Sequence, residues 1–320
     1  MIRCAVIGVG YLGRFHAQKY QLLDKTELVA VCDVNPTTAA AVGQELNVPY
    51  TVDYRTLFSK VDAVSIAATT KQHYQIAKSC LEQGIHVLLE KPMTETIEQA
   101  TALISIAQHH QCVLQIGHME RFNAARLALD NHLDNPLFIE SHRLAPYKPR
   151  GADVNVVLDL MIHDIDIIQS IVDSPITNID AQGAPVLSPS IDIANARIRF
   201  ANHCVANVTA SRISYKSERK TRIFQANTYI SIDFQNKKFA VFEKGTGEMF
   251  PGIPEIVRHE STFENGDALL EEIRSFLECI EHGKKPLVSG EEGRAALETA
   301  DKITHFINQE LLLRERTEHA

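Results

Sequence analysis

No stretch of this 320-residue chain approaches the run of roughly 20 apolar residues that a membrane-spanning helix needs. The first ten residues hold only a short apolar run that leads straight into glycines, so they read as a first strand and not as a signal segment. The expected location is therefore cytoplasmic. Positive charge is also in short supply. With 32 Lys and Arg against 40 Asp and Glu, the net charge is −8, which argues against nucleic acid as the main partner. The six cysteines, at 4, 32, 80, 112, 204 and 279, form no CxxC pair, which leaves no local zinc-ligand cluster and suits reduced, buried thiols. Low-complexity tracts and internal repeats are absent as well. With 45% hydrophobic and 22% charged residues, the composition is that of a globular protein, and the length favours two domains.

The first 120 residues alternate apolar runs with helical spacing. The runs are Cys4–Val9, Leu28–Cys32, Ala63–Ala68, His86–Leu89 and Val113–Ile116, and the helices fall near 12–22, 37–46, 71–83 and 95–110. Runs of Val, Ile, Leu and Ala without clean alternation suit strands buried on both faces of a parallel sheet joined by right-handed βαβ units. The pattern then changes. Arg121–His132 reads as a linking helix, Phe138–Leu144 as a strand, 145–156 as a loop and Val157–Val172 as a helix. From about 176 to 262 the spacing is strand-like, with hairpins through Ala194–Phe200, Cys204–Arg212, Arg222–Ala226, Thr228–Phe234 and Lys238–Glu243. Helical spacing returns at 267–282 and 290–313, with Gly283 as a C-cap. The expected architecture is α/β, with a Rossmann domain over 1–120 and an α+β domain with an open, mostly antiparallel sheet over 121–320.

Gly8-Val9-Gly10-Tyr11-Leu12-Gly13 follows the first strand and opens the first helix. In a G-x-G-x-x-G turn the first glycine permits the bend, the second lets backbone approach a pyrophosphate, and the third allows helix–strand packing. The bland reading is a glycine-rich turn with no ligand. Asp33 ends the second strand, 20 residues past Gly13. There a carboxylate accepts from a ribose diol and repels a 2′-phosphate, which favours NAD over NADP, although Asp is also an ordinary turn residue. In Glu90-Lys91-Pro92, at a strand end, a lysine can donate to a substrate oxygen; a solvated lysine at a loop start has the same spacing. Asp159 and His163 lie four apart on the helix 157–172, an arrangement for a histidine base oriented by a carboxylate. A divalent metal also suits such a pair, but no third ligand stands nearby, so no metal is expected, and a lone histidine on an apolar helix is often structural.

Taken in order, GVGYLG, Asp33, Glu90-Lys91-Pro92 and Leu158-Asp159-x-x-x-His163-x-x-Asp166 resemble the glucose–fructose oxidoreductase, inositol dehydrogenase and rhizopine catabolism (Gfo/Idh/MocA) family. The resemblance runs over nearly the whole chain, to Lys285-Pro286-Leu287-Val288-Ser289-Gly290. It implies an NAD enzyme acting on a sugar-type secondary alcohol, with Lys91 touching the reacting hydroxyl and Asp159 and His163 as the active-site pair. It places Thr69 and His73 at the nicotinamide border, and Tyr11, Leu12, Glu90 and Lys91 with the glycines and Asp33 around the cofactor. One departure is Val156 and Val157, where many members carry glycines.

A narrower resemblance rests on Gly117-His118-Met119-Glu120-Arg121-Phe122-Asn123 and on Lys148-Pro149-Arg150-Gly151 leading into the 157–163 segment. It is to bacterial members of the family that act on UDP-N-acetylglucosamine and its uronate. It implies removal of the 3-hydroxyl proton by His163, hydride transfer from C3 to NAD⁺, and a 3-keto nucleotide sugar for a downstream aminotransferase, in a route to lipopolysaccharide or lipid A. The diphosphate would meet Arg121, Lys148 and Arg150, with Arg143 and the 212–222 basic stretch as further candidates; a solvated strand edge or hairpin bearing charge explains that stretch equally well. The alternatives are a dehydrogenase of a free polyol such as inositol, which does not require Lys148 and Arg150, and a non-enzymatic NAD-binding sensor, which need not keep a proton acceptor. The open sheet should pair copies into a homodimer or homotetramer.

Overall fold

The computed structural model describes residues 1–147, 154–263 and 266–318. Packing divides the chain into two units, Met1–Phe122 with Asp267–Ala295, and Asn123–Gly266 with Ala296–Ala320.

The first unit is built on β1 (Ile2–Ile7), α1 (Tyr11–Gln21), β2 (Thr26–Cys32), α2 (Pro36–Leu46), β3 (Tyr50–Thr51), β4 (Ala63–Ile66), α3 (Thr70–Leu81), β5 (His86–Glu90), α4 (Ile97–His109) and β6 (Leu114–Gly117). The strands form one sheet in the order β3-β2-β1-β4-β5-β6, with every pairing parallel. All four residues of β4 and of β6 are buried, as expected where helices cover both faces. The strand order reverses between β1 and β4, and the carboxyl ends of strands at such a switch point are where α/β sheets bind ligands. Helix boundaries follow local chemistry. Asn35 accepts from the Thr37 and Thr38 amides ahead of Pro36, and Thr96 caps α4 through Gln99 N. The two-residue β3 is too short to leave a pattern in the sequence.

The second unit begins differently from the expected helix 121–132. Across that stretch the chain forms a 3₁₀ turn at Met119–Phe122, a short α5 (Ala124–Leu127) and a second 3₁₀ turn at Ala128–Asn131. The Asn123 side chain takes the Ala125 amide, which starts a new helix and ends the old turn. Next come β7 (Phe138–Leu144), a π-helical turn at Val157–Met161, α6 (Ile162–Ile171) and β8 (Ile176–Ala184). The strands β9 (Ile193–Phe200), β10 (Val205–Ser211), β11 (Glu218–Gln225), β12 (Thr228–Asp233), β13 (Lys238–Phe250) and β14 (Ile253–Thr262) complete an eight-stranded sheet. Its order is β14-β13-β12-β11-β7-β10-β9-β8, and β7 with β10 is the parallel pair in an otherwise antiparallel sheet. Alternation sets the faces. On β7, Ile139, Ser141 and Arg143 are buried while Phe138, Glu140 and His142 are half-buried on the other side. Ile162, Ile165 and Ile168 of α6 share a core with Ile139, Val208, Ile223 and Ile230 of the sheet.

Two helices follow, α7 (Ala268–His282) and α8 (Gly290–Glu318). α7 belongs to the first unit, where Leu269, Ile273, Phe276 and Leu277 join Cys4, Val6 and Tyr20 in one core. Asp267 caps α7 through Leu270 N and pairs with Lys19 at 2.6 Å, and Gly283 closes the helix with φ 63°. α8 starts in the first unit and continues as part of the second from Ala296. The expected single boundary near residue 120 therefore becomes a discontinuous first unit, because the apolar stripe of α7 fits the core beside α1 and β1. All six cysteines are free thiols, five of them buried.

Candidate active site

The glycine turn after β1 is tightly constrained. Gly8 has φ +84°, and a Cβ there would sit 2.5 Å from Ala68 N. A Cβ on Gly13 would lie 1.8 Å from the Gly8 carbonyl oxygen, so α1 packs on the turn only without a side chain. Gly10, by contrast, faces open space and is the N-cap of α1. No side chain caps the helix and its first turn holds no acid, so its positive end is left for an anion. A cleft beside it is lined by Val9, Gly10, Tyr11, Arg14, Thr37 and Thr38. Tyr11 is exposed and Leu12 is half-buried. Asp33 braces this loop. Its Oδ2 accepts from Val9 N at 3.0 Å and its Oδ1 from Asn35 N at 2.9 Å. Each oxygen keeps a lone pair, so the turn role and a ribose role are compatible. These residues fit a dinucleotide: an open helix end for the pyrophosphate and a carboxylate at the second strand end.

Beyond β4, Thr69 is the exposed N-cap of α3. His73 is 1% exposed, with Nδ1 2.9 Å from Pro92 O and Nε2 3.0 Å from Ala68 O. It thus braces the turn after Lys91 from inside the unit instead of lining an open border. Burial, set against the two carbonyls, holds its imidazole below the ordinary histidine value. Glu90, 7% exposed, takes the Lys91 amide on Oε2 at 3.2 Å and meets His16 Nε2 through Oε1 at 3.1 Å. Lys91 is half-buried at the end of β5 and is followed by a cis bond to Pro92.

In the second unit, Asp159 lies in the π turn and His163 is the second residue of α6, both half-buried. A single π turn inside a helix widens it locally and is often found at functional sites. Two anchors hold its start. Asn155 Oδ1 accepts from Val157 N and Leu158 N at 3.0 Å each. Arg212 Nη1 holds the Val154 carbonyl at 2.6 Å while its Nε pairs with Asp192 at 2.7 Å. Burial alone would raise the Asp192 carboxyl, but the Val186 amide, Arg212, Ser188 and the Leu187 amide hold it well below the usual carboxylate range. Val156 and Val157 are fully buried in the core, which accounts for side chains where glycines were expected.

The expected cation set changes. Arg143 is 2% exposed and its Nε donates to Asp164 at 2.6 Å, while Arg212 is spent on Asp192, so both are internal ion partners. Asp164 is thereby committed as well. Arg121 is buried in the first unit, with Nη2 3.4 Å from Leu287 O. Of the 212–222 stretch, residues 218–222 lie in β11, an inner strand between β7 and β12, and not at a sheet edge. Lys148 and Arg150 lie outside the described residues.

Sequence reasoning missed His16, Asn155 and the Asp192–Arg212 pair. A signal for His16 existed, because the buried line Gly13, His16, Ala17 and Tyr20 has helical spacing, and a histidine within it needs a partner. Asp192 and Arg212 are distant in sequence and left no local sign.

The family model for the oxidoreductase family with an NAD-binding Rossmann fold, GFO_IDH_MocA, matches residues 2–118, and the GFO/IDH/MocA C-terminal domain matches 132–231. The chain is 38% identical to UDP-N-acetylglucosamine 3-dehydrogenase of Acidithiobacillus ferrooxidans, over 94% of this chain and 96% of that one. A solved structure of that Acidithiobacillus enzyme superposes with a TM-score of 0.91 and 37% identity, covering 96% of this chain and 97% of the other. A scyllo-inositol 2-dehydrogenase (NAD⁺) of Bacillus subtilis is 26% identical over 95% of this chain and 93% of its own.

Proposed function

The chain belongs to the GFO/IDH/MocA oxidoreductase family, and on that premise we propose that it oxidises the 3-hydroxyl of UDP-N-acetylglucosamine to the 3-keto nucleotide sugar. The observation that carries this reading is the 38% identity that extends across both units to an enzyme of that name, against 26% for the inositol dehydrogenase. NAD, held by Gly8, Gly10, Gly13 and Asp33 with Thr69 beyond β4, supplies the hydride acceptor when bound. His163 takes the hydroxyl proton, with Asp159 orienting the ring and stabilising its charged form. Lys91 donates to the same oxygen and stabilises negative charge as it develops. Lys148 and Arg150 are proposed to meet the diphosphate. The product carries a ketone beside the acetamido carbon, which suits transamination to a diamino sugar, and we place the step in the cytoplasm, on the way to lipid A.

The test is NADH formation with NAD⁺ and UDP-N-acetylglucosamine, its uronate, UDP-glucose, myo-inositol or glucose, with a coupled aminotransferase in parallel wells to draw an uphill ketone forward. Turnover on a free polyol alone would replace the nucleotide-sugar reading with the inositol one, and NAD binding without turnover would favour a sensor. Lys91→Ala and His163→Asn should each lower kcat by about 100-fold or more while NAD affinity stays within about threefold. Near-normal turnover in both would sink the assigned roles.

A homodimer or homotetramer is proposed through the outer face of the eight-stranded sheet. On it Phe138, Phe224, Tyr229 and Phe242 lie in a row, with centroids 5.9, 5.0 and 5.2 Å apart, the last two pairs stacked and the first tilted. Light scattering on the purified protein should give at least twice the 35.7 kDa chain mass, and a monomer at micromolar concentration would refute it.

A further inference from the structure

Behind Lys91 lies a buried cluster that the reaction does not use directly. One nitrogen or oxygen from each of His16, Glu90 and Glu272 comes within 4.8 Å of the others, and all three residues are buried. His16 comes from α1, the helix whose N-terminus faces the dinucleotide cleft; Glu90 ends β5; Glu272 is on α7. A carboxylate shut away from water is held only where donors face it, and two in one dry space raise that demand. Glu90 has two such donors, His16 Nε2 at 3.1 Å and the Lys91 amide at 3.2 Å. With Glu90 ionised its oxygens only accept, and the proton of this contact is then on His16 Nε2. Gly117, paired with Glu90 across β5 and β6, leaves the room: a Cβ there would be 2.9 Å from the Glu90 carboxyl carbon.

We infer that His16 is a positioning residue, which fixes the Glu90 carboxylate so that Glu90 in turn fixes the backbone of Lys91 and aims its ammonium. The inference rests on the role proposed for Lys91. The dinucleotide helix and the reacting lysine are then tied through a single carboxylate, so the loop that receives NAD and the residue that meets the hydroxyl are set together.

Two readouts on the full-length protein test this. The first needs no substrate: hydrogen–deuterium exchange of the peptide bearing the Lys91 amide. His16→Leu removes the donor to Glu90 and should speed that exchange by about tenfold, whereas His16→Gln, which keeps an N–H, should restore protection. The second is turnover on UDP-N-acetylglucosamine. His16→Leu should lower kcat by roughly tenfold or more with NAD affinity and KM within about threefold, and His16→Gln should recover most of it. If His16→Leu does not fold, Gly117→Ala, which displaces the same carboxylate, should give the same pattern. Equal behaviour of the Leu and Gln variants, unchanged Lys91 exchange, or stoichiometric metal bound through His16 in the purified protein would overturn the inference. A wild-type enzyme inactive on every UDP sugar would instead overturn the proposed substrate, and the exchange result would still decide the role of His16.

Discussion

Replacing Asp164 by Asn should destabilise the second unit more than any surface change could. Asp164 is 1% exposed and accepts from Arg143 Nε at 2.6 Å and from Ser141 Oγ at 2.8 Å, and Arg143 itself is only 2% exposed. Ser141 in turn meets Thr221 Oγ1 at 2.8 Å, so the carboxylate closes a network across β7 and β11. An amide keeps the shape but removes the negative charge that Arg143 Nε meets at 2.6 Å. Breaking a buried pair from one side costs about 3–5 kcal/mol. The assay is urea unfolding followed by far-UV circular dichroism, since the chain has no tryptophan to report by fluorescence. Two units can give two transitions, and the second-unit transition is the one that should move. Arg143→Met with Asp164→Leu, which removes both charges and fills the space, should recover most of the loss. A single Asp164→Asn loss below about 1 kcal/mol, or a double variant no better than the single, would refute the account of this pair as a matched buried charge.

Two further outcomes are expected. Asp33→Ser should weaken NAD binding by about 10- to 100-fold in calorimetry and shrink the preference over NADP, because the carboxylate supports the Val9 amide and is the group proposed to meet the ribose; unchanged selectivity would remove Asp33 from the cofactor site. Burial holds the imidazoles of His73 and His86 below their ordinary 6.5, and His86 Nδ1 accepts from Val113 N. The unfolded chain therefore binds more protons just below that value: stability is full above about pH 6.5 and falls as pH drops through and below it. His73→Gln should show a smaller urea-midpoint drop between about pH 7.5 and pH 5.5 than the wild type, and an identical drop would contradict the direction given for His73.

The Rossmann sheet was legible because parallel strands covered on both faces read as unbroken apolar runs, and β1, β2, β4, β5 and β6 all lie on such runs. β3 left no signal at two residues, and it exists because its two residues pair with Val31 and Cys32 at the sheet edge. The hairpin strands of the second sheet were legible through period-two alternation, while β14 and the far half of β13, largely exposed, carry too few apolar residues to alternate. In the site, the glycine turn and Asp33 could be read from spacing, since each has a local backbone reason to be there. Arginines could not be sorted in the same way. A guanidinium facing a phosphate and one buried against Asp164 or Asp192 look alike in sequence, because the partner that decides between them is distant along the chain.

The same limit explains the domain boundary. Helical spacing over 267–282 identified α7 correctly, but amphipathicity says only that one face is buried, not against what. Leu269, Ile273, Phe276 and Leu277 lie in the core of Cys4, Val6 and Tyr20, and the same helix turns Glu272 toward His16 and Glu90. A piece of chain ending at residue 122 would lack those side chains and leave that core open. The first unit is thus complete only after the sheet domain has been traversed, and the helix that completes it also adds the second carboxylate to the cluster behind Lys91.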